Sequence, residues 1–316
     1  MANATVSFLG KENSGSDANA LFLKVFSGEV LASFQRENKM LGMSTVRTIS
    51  SGKSAQFPAI GRTTASYHTA GNEITGDAIK HAEKVITIDD VLLSSAFISQ
   101  IDEAKNHYDV RSQYSKEMGS ALAKKTDAHL LQLTVLGARA SATVTGGDGG
   151  SVITDADANT NMASLIDSIF ESAEDLDNKD VPEDDRYCVV PPNIYYELVQ
   201  NDKLVSRDFS NANGDFGKGV VMEVAGIKIV KLNTATSSFT DLSSASNTGQ
   251  NNTYRGNFST TVASVFHKSA VGTVKLLDLA MESEYDIRRQ GTLMIGKYAM
   301  GHGILRPESC VEIKTS

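Results

Sequence analysis

The groups in this chain whose types and spacing could do chemistry are SSGKS at Ser50–Ser54, six histidines, the carboxylates from Asp155 to Asp185, and two cysteines. SSGKS resembles the end of a phosphate-binding loop, where backbone N–H groups cradle phosphate and a lysine reaches it. That loop needs a glycine five positions before Gly52, where Arg47 stands, and a helix directly after it, where Gln56, Phe57 and Pro58 stand. A turn with a solvated Lys53 accounts for it better. Among His68, His81, His107, His129, His267 and His302 no two lie four apart, and no cysteine is near any of them in sequence, so zinc-ligand spacing is absent. Gly301–His302–Gly303 reads as a tight turn. The acidic run has no calcium-loop spacing and reads as the solvated face of a helix and its flanks. Cys188, in an apolar stretch, reads as a small core residue, and its distance from Cys310 suggests no disulfide framework. G-x-S-x-G, H-E-x-x-H, C-x-x-C and G-x-G-x-x-G do not occur. No catalytic, cofactor or metal site is expected.

With no constellation to position, the elements carry the reading. Asp109 to Arg139 reads as one long helix: Asp109 is a good N-cap, and no proline follows before Arg139. Val110, Tyr114, Met118, Leu122, Leu131 and Val135 form an apolar stripe, with Lys116, Lys124, Lys125 and Asp127 off it. At 1.5 Å per residue the helix is about 46 Å long, with Gly119 as its expected hinge.

Ahead of it, residues 1–42 read as an arm: a polar start, then an amphipathic stretch anchored by Phe22, Val25 and Phe26 and broken at Gly28. Residues 43–90 read as a two-stranded ribbon with a polar, flexible tip, built from Thr45–Ile49, Ala55–Ile60 and Lys84–Ile88. Its open edges invite pairing with another chain. Val91 to Tyr108 is expected to run on into the long helix, and Ala140 to Thr160 to be an unstructured connection. Asn161 to Asn178 is an amphipathic helix with Met162, Leu165, Ile166, Ile169, Phe170 and Ala173 on its apolar face. Arg186 to Val190 is a buried strand, Pro192 opens a short helix, and Gly219 to Asn233 holds two strands or one bulged strand. Thr234 to Thr260 is a long polar loop, expected at the surface or at a contact. Strands follow at Thr261–His267, Val271–Asp278, Gln290–Ala299 and Cys310–Lys314. The class is α+β.

A chain of 316 residues is expected to divide into sub-domains. Its formal charge of -8 argues against wrapping nucleic acid through a basic face. No window approaches 18 consecutive apolar residues, and the first twenty lack signal-peptide character, so a soluble protein made in the cytoplasm is expected.

Six blocks in order, LFLKVFSGEVL (Leu21–Leu31), RTISSGKSAQFPAIGR (Arg47–Arg62), HAEKVITID (His81–Asp89), NHYDVRSQY (Asn106–Tyr114), HKSAVGTVKLLDLAME (His267–Glu282) and IGKYAMGHGILRPE (Ile295–Glu308), closely resemble the major capsid proteins of T-seven-like short-tailed bacteriophages, of podovirus type. The resemblance implies an HK-ninety-seven-type capsid fold. The N-terminal arm would be 1–42, the extended ribbon or E-loop 43–90, the peripheral domain 91–145 with spine helix 109–139, the axial domain 146–262, and the return to the peripheral domain 263–316.

It further implies a structural, non-enzymatic protein that assembles with itself into hexamers and pentamers of an icosahedral head. The partners implied are a scaffolding protein, a portal at one vertex, and enclosed double-stranded DNA held without sequence-specific binding; no membrane is involved. Assembly in the host bacterial cytoplasm and expansion of a procapsid into the virion capsid go with it. By position, Lys53, Arg62 and Lys80 on the ribbon are candidates to meet a neighbour's carboxylates, and Phe22, Val25 and Phe26 to seat the arm. An encapsulin-type compartment keeps the fold with another cargo, and a metal-dependent enzyme using the acidic region is the remaining alternative.

Overall fold

In the structure, a computed structural model, residues 38–63, 65, 67–74, 76, 78–99, 110–201, 214–215, 220–221, 223–244 and 251–316 are described. Phe22, Val25, Phe26 and Asp109 lie outside them. A 3-10 turn at Met40–Met43 leads to β1 (Thr45–Thr48), and β2 (Ser54–Ile60) and β3 (His81–Thr87) form the ribbon. Then come β4 (Leu92–Ser99), α1 (Val110–Ala138), β5 (Ser151–Thr154), α2 (Met162–Asn178), β6 (Arg186–Val190) and α3 (Pro192–Val199). A two-residue pair, β7 (Gly214–Asp215) and β8 (Val220–Val221), precedes β9 (Glu223–Val224), β10 (Ile227–Lys231) and α4 (Asn233–Ser238). β11 (Thr261–His267), β12 (Val271–Asp286), β13 (Gly291–Ile304) and β14 (Cys310–Lys314) close the chain.

The chain divides into two compact units, one of Met1–Asn38, Val91–Thr126 and Leu277–Ala299, the other of Lys39–Asp90, Asp127–Leu276 and Met300–Ser316. The larger unit is built on a six-stranded sheet in the order β5-β14-β11-β6-β10-β9. Its central strand β11, TVASVFH, is buried on both faces, as a β-branched run without polar alternation predicts. Along β6, Cys188 and Val190 face one core and Val189 the other. α2 and α3 cover the first face with Leu165, Ile169, Leu176 and Leu198; α1, from Leu130 to Ala138, covers the second. Each such buried leucine contributes roughly 1.5–3 kcal/mol. Asn161 caps α2, its side chain accepting from Ala163 N at 3.1 Å. At the other end of α1, Arg139 makes a two-pronged ion pair with Glu312 on β14, 2.6 Å on each prong, and Thr261 donates to the same carboxylate at 2.5 Å.

In the smaller unit β4 runs antiparallel to β13, in register from Gly291↔Ser99 to Tyr298↔Leu92. Ile98, Met118 and Met294 form its core, with Leu279 and Met281 packed on them. A Cβ on Gly296 would stand 2.9 Å from Met281 Sδ and 3.4 Å from Leu122 Cδ1, so glycine lets helix and sheet meet there.

Several expectations are corrected. Val91 to Tyr108 does not simply run into the helix: LLSSAFIS alternates inward and outward residues and forms β4. The glycine-rich connection holds a strand, β5, parallel to β14. Tyr114, placed on the helical stripe, is 43% exposed, and Phe170, placed on the apolar face of α2, is 55% exposed. Asp127, placed off the stripe, is 1% exposed, because the second part of α1 is buried nearly all round. Gly301 and Gly303 lie inside β13 and make no turn. The polar loop after β10 contributes core: Tyr254 and Phe258 are fully buried.

Candidate functional site

The ribbon is the chain's most distinctive device, and its construction is local. β2 and β3 pair without a slip from Ser54↔Thr87 to Ile60↔His81. Pro58 is tolerated because a two-stranded ribbon leaves outer N–H positions without partners in the ladder. Gly52, at φ +115°, makes the turn between β1 and β2, so SSGKS is that turn and Lys53 is exposed on it. β1 takes no part in the ribbon; it pairs in parallel with the start of β12.

The root of the ribbon is fixed by a polar network. Asp89 accepts from Asn252 N at 3.0 Å, from Asn252 Nδ2 at 2.8 Å and from the Tyr254 hydroxyl at 2.5 Å. Asn251 and Asn252 donate their side-chain amides to the carbonyls of Ile88 and Thr87, each at 2.6 Å. The Tyr254 ring stacks on His129 at 4.2 Å, and its oxygen accepts from His302 N at 3.2 Å. Burial raises the Asp89 carboxyl against these donors and raises the Tyr254 phenol. β13 crosses directly beneath: a Cβ on Gly301 would stand 2.1 Å from the Thr87 carbonyl oxygen, and one on Gly303 2.8 Å from Ile86 Cγ1. The glycines of the GHG triplet therefore serve close packing. The sequence held little sign of this network beyond a lone tyrosine in a polar run.

Of the candidate contact residues, Lys53 and Lys80 are exposed on the ribbon. Arg62 is engaged within the chain, with Nη1 3.0 Å from Asp180 and 3.5 Å from Asp148, and Nη2 donating to the Lys179 carbonyl. α1 passes through Gly119 without interruption. Cys188 and Cys310 are free and buried, the former's thiol pushed by burial up to about 12, which removes it as a nucleophile at neutral pH. No group of three His, Cys, Asp or Glu able to hold a metal is present among the described residues, and no helix among them is long and apolar enough to cross a membrane.

A second anchor sits where the chain enters the larger unit. Asp127 accepts from Met40 N at 3.0 Å and Lys39 N at 3.1 Å, capping the 3-10 turn from the side of α1. Burial lifts its carboxyl to about 6 against those two donors and Lys39, and burial holds His302 down at about 4. Folded Asp127 binds its proton more tightly than the unfolded group at 3.8, so it adds stability as pH falls from 6. Folded His302 binds its proton less tightly than the unfolded group at 6.5, so it removes stability over nearly the same window. Each swing is roughly 3 kcal/mol at about 1.4 per unit, and the two offset. Asp127→Asn removes only the stabilising swing. The variant is expected to lose about 3 kcal/mol relative to wild type between pH 6.5 and 4, read from urea midpoints. Parallel pH profiles would refute the assignment.

The fold has counterparts among solved structures. The chain is similar over its whole length to the capsid structure of the cyanophage P-SCSP1u, with 44% identity, TM-score 0.79 and 99% of that chain covered. It is similar over 88% of its length to a subunit of the mature capsid of bacteriophage PhiM1, covering 87% of that chain at TM-score 0.71 and 21% identity, which bears on the fold alone. The fold is the phage-capsid fold of HK-ninety-seven type. The family model for the Gp10A-like major capsid protein matches residues 56–314. The major capsid protein of Escherichia phage T7 is 36% identical, with 93% of this chain and 91% of that protein covered. The chain belongs to the Gp10A-like major capsid protein family, and is a structural component of a phage head.

Proposed function

We propose that this chain assembles with itself into hexamers and pentamers of an icosahedral head, around a scaffolding protein in the host bacterial cytoplasm. The shell has a portal at one vertex, expands as a procapsid matures, and encloses double-stranded DNA without reading its sequence. One observation carries the self-assembly reading. The ribbon leaves Ile60 66% and Ile74 79% exposed and Tyr67 fully so, and a two-stranded ribbon is marginal by itself, so a second copy is the surface that covers it. In the smaller unit β4 likewise presents Leu93 and Phe97 outward. Lys53 and Lys80 are placed to meet a neighbour's carboxylates. The family resemblance supports residues 1–42 as the arm and 146–262 as the axial domain, while position and residue type support Phe22, Val25 and Phe26 as the seat of the arm and Asp109 and Gly119 as cap and hinge of the spine. The charge of -8 fits DNA held by enclosure, since few phosphates could be neutralised.

Negative-stain electron microscopy of the purified protein, with and without its scaffolding protein, tests this. Closed shells, tubes or rings of five or six are expected, whereas monomers alone under both conditions would sink the reading. Tyr67→Asp with Ile74→Asp is expected to abolish closed shells and to leave the unassembled subunit's denaturation midpoint within about 0.5 kcal/mol of wild type, as exposed substitutions do. Normal shells from that variant would exclude the ribbon tip as a contact.

A further inference from the structure

The ribbon is held at two places. Its root is the Asp89 network; the far end of β2 is held by Arg62, whose guanidinium sits between Asp148, Asp180 and the carbonyl of Lys179 at the C-terminal end of α2. That carbonyl and the helix dipole add to the negative potential that receives the cation. Gly61 closes the loop by donating to Lys80 O at 2.8 Å. A Cβ on Gly61 would stand 3.1 Å from Val144 Cγ1, so the ribbon end also lies in van der Waals contact with the segment that carries Asp148. Ile60, Gly61, Arg62, Val144, Asp148 and Arg306 line one recess there.

We infer that Arg62 is an intrachain clasp that sets the direction in which the ribbon's loop leaves its own subunit, so that shell curvature depends on a contact made before any neighbour arrives. The reason is leverage. Seven residues of strand reach about 23 Å, so a swing of about 10° at the root displaces the far end by about 4 Å, the size of a side chain. A contact repeated around every ring tolerates no such spread if the ring is to close. A second fastening at the far end removes the swing. The clasp is solvent-exposed, with the Arg62 side chain 56% accessible, so salt screens it. Its effect on shells rests on the assembly reading above; its existence within the subunit does not.

Amide hydrogen exchange on the unassembled subunit tests the clasp. Arg62→Ala is expected to speed exchange at Gly61 several-fold, with β11 and α2 unchanged, and wild type in high salt is expected to approach the variant. Arg62→Lys keeps a cation between Asp148 and Asp180 and is expected to retain most of the slow exchange, whereas Asp148→Asn with Asp180→Asn is expected to reproduce the fast exchange with Arg62 intact, which a loss of packing at residue 62 would not. Assembled particles from Arg62→Ala are expected to be heterogeneous in diameter by electron microscopy, and those of Arg62→Lys uniform. Unchanged exchange in Arg62→Ala overturns the clasp, and failure of its shells with unchanged exchange would place Arg62 across an interface instead. Faster exchange with uniform, wild-type particles overturns the link to curvature. If wild type itself forms no particles, the assembly reading fails, and exchange still decides the clasp.

Discussion

Arg139→Met is expected to cost the unassembled subunit about 3–5 kcal/mol, a large part of the 5–15 typical of a domain. Glu312 is fully buried and its carboxylate has two partners of note, the Arg139 fork and the Thr261 hydroxyl. Methionine fills much of the arginine's volume but leaves a carboxylate in the interior with no cation, and the same change strips a 2.7 Å hydrogen bond from Asn257 O and a guanidinium from the face of Phe258. The energy at stake is the penalty for a stranded charge and exceeds the net worth of the pair. The double variant Arg139→Met with Glu312→Met should therefore recover most of the loss, because both desolvation costs vanish together. Urea midpoints for the two variants decide it. If the double variant is as weak as the single, the pair's geometry matters for its own sake.

The same pair shows what a sequence hides. Arg139 and Glu312 are 173 residues apart, and each alone looks like a surface charge. Sequence reading found the helix to within one residue at each end, Val110–Ala138 against Asp109–Arg139, and located β11 and β14 as found, because a long proline-free run and a buried strand's β-branched run are local signals. It misplaced Asp127, Tyr114 and Phe170 because a stripe says which face is apolar and not what the far side meets. Asp127 is buried by backbone N–H groups 87 and 88 residues away, a partnership no window contains. The polar loop was read by composition, yet a loop polar on average can send a tyrosine and a phenylalanine inward. The ribbon was legible as an open-edged element; the network that roots it, built from Asp89, Asn252, Tyr254 and His302, joins three distant segments and was not.

That root makes the second large effect a matter of one methyl group. In Gly301→Ala the new Cβ would stand 2.1 Å from the Thr87 carbonyl oxygen and 2.9 Å from its carbon, so backbone must yield to backbone. Beside Gly301 the Met300 carbonyl accepts from Asp89 N at 3.2 Å, and Thr87 is held by the ladder to Ser54 and by the amide of Asn252. Neither can retreat without breaking hydrogen bonds, so a cost at or above the top of the usual range for overpacking, about 3 kcal/mol, is expected. Gly303→Ala is the control. Its Cβ meets Cγ1 of the buried Ile86 at 2.8 Å, a side chain and not backbone, so a smaller loss of about 1–2 kcal/mol is expected. Thermal midpoints of the two unassembled variants should separate by several degrees. Equal shifts would mean that the root of the ribbon is softer than its hydrogen bonds imply. A large shift confined to Gly301→Ala, accompanied by failure of closed shells, would tie the aim of the ribbon to the strand beneath it.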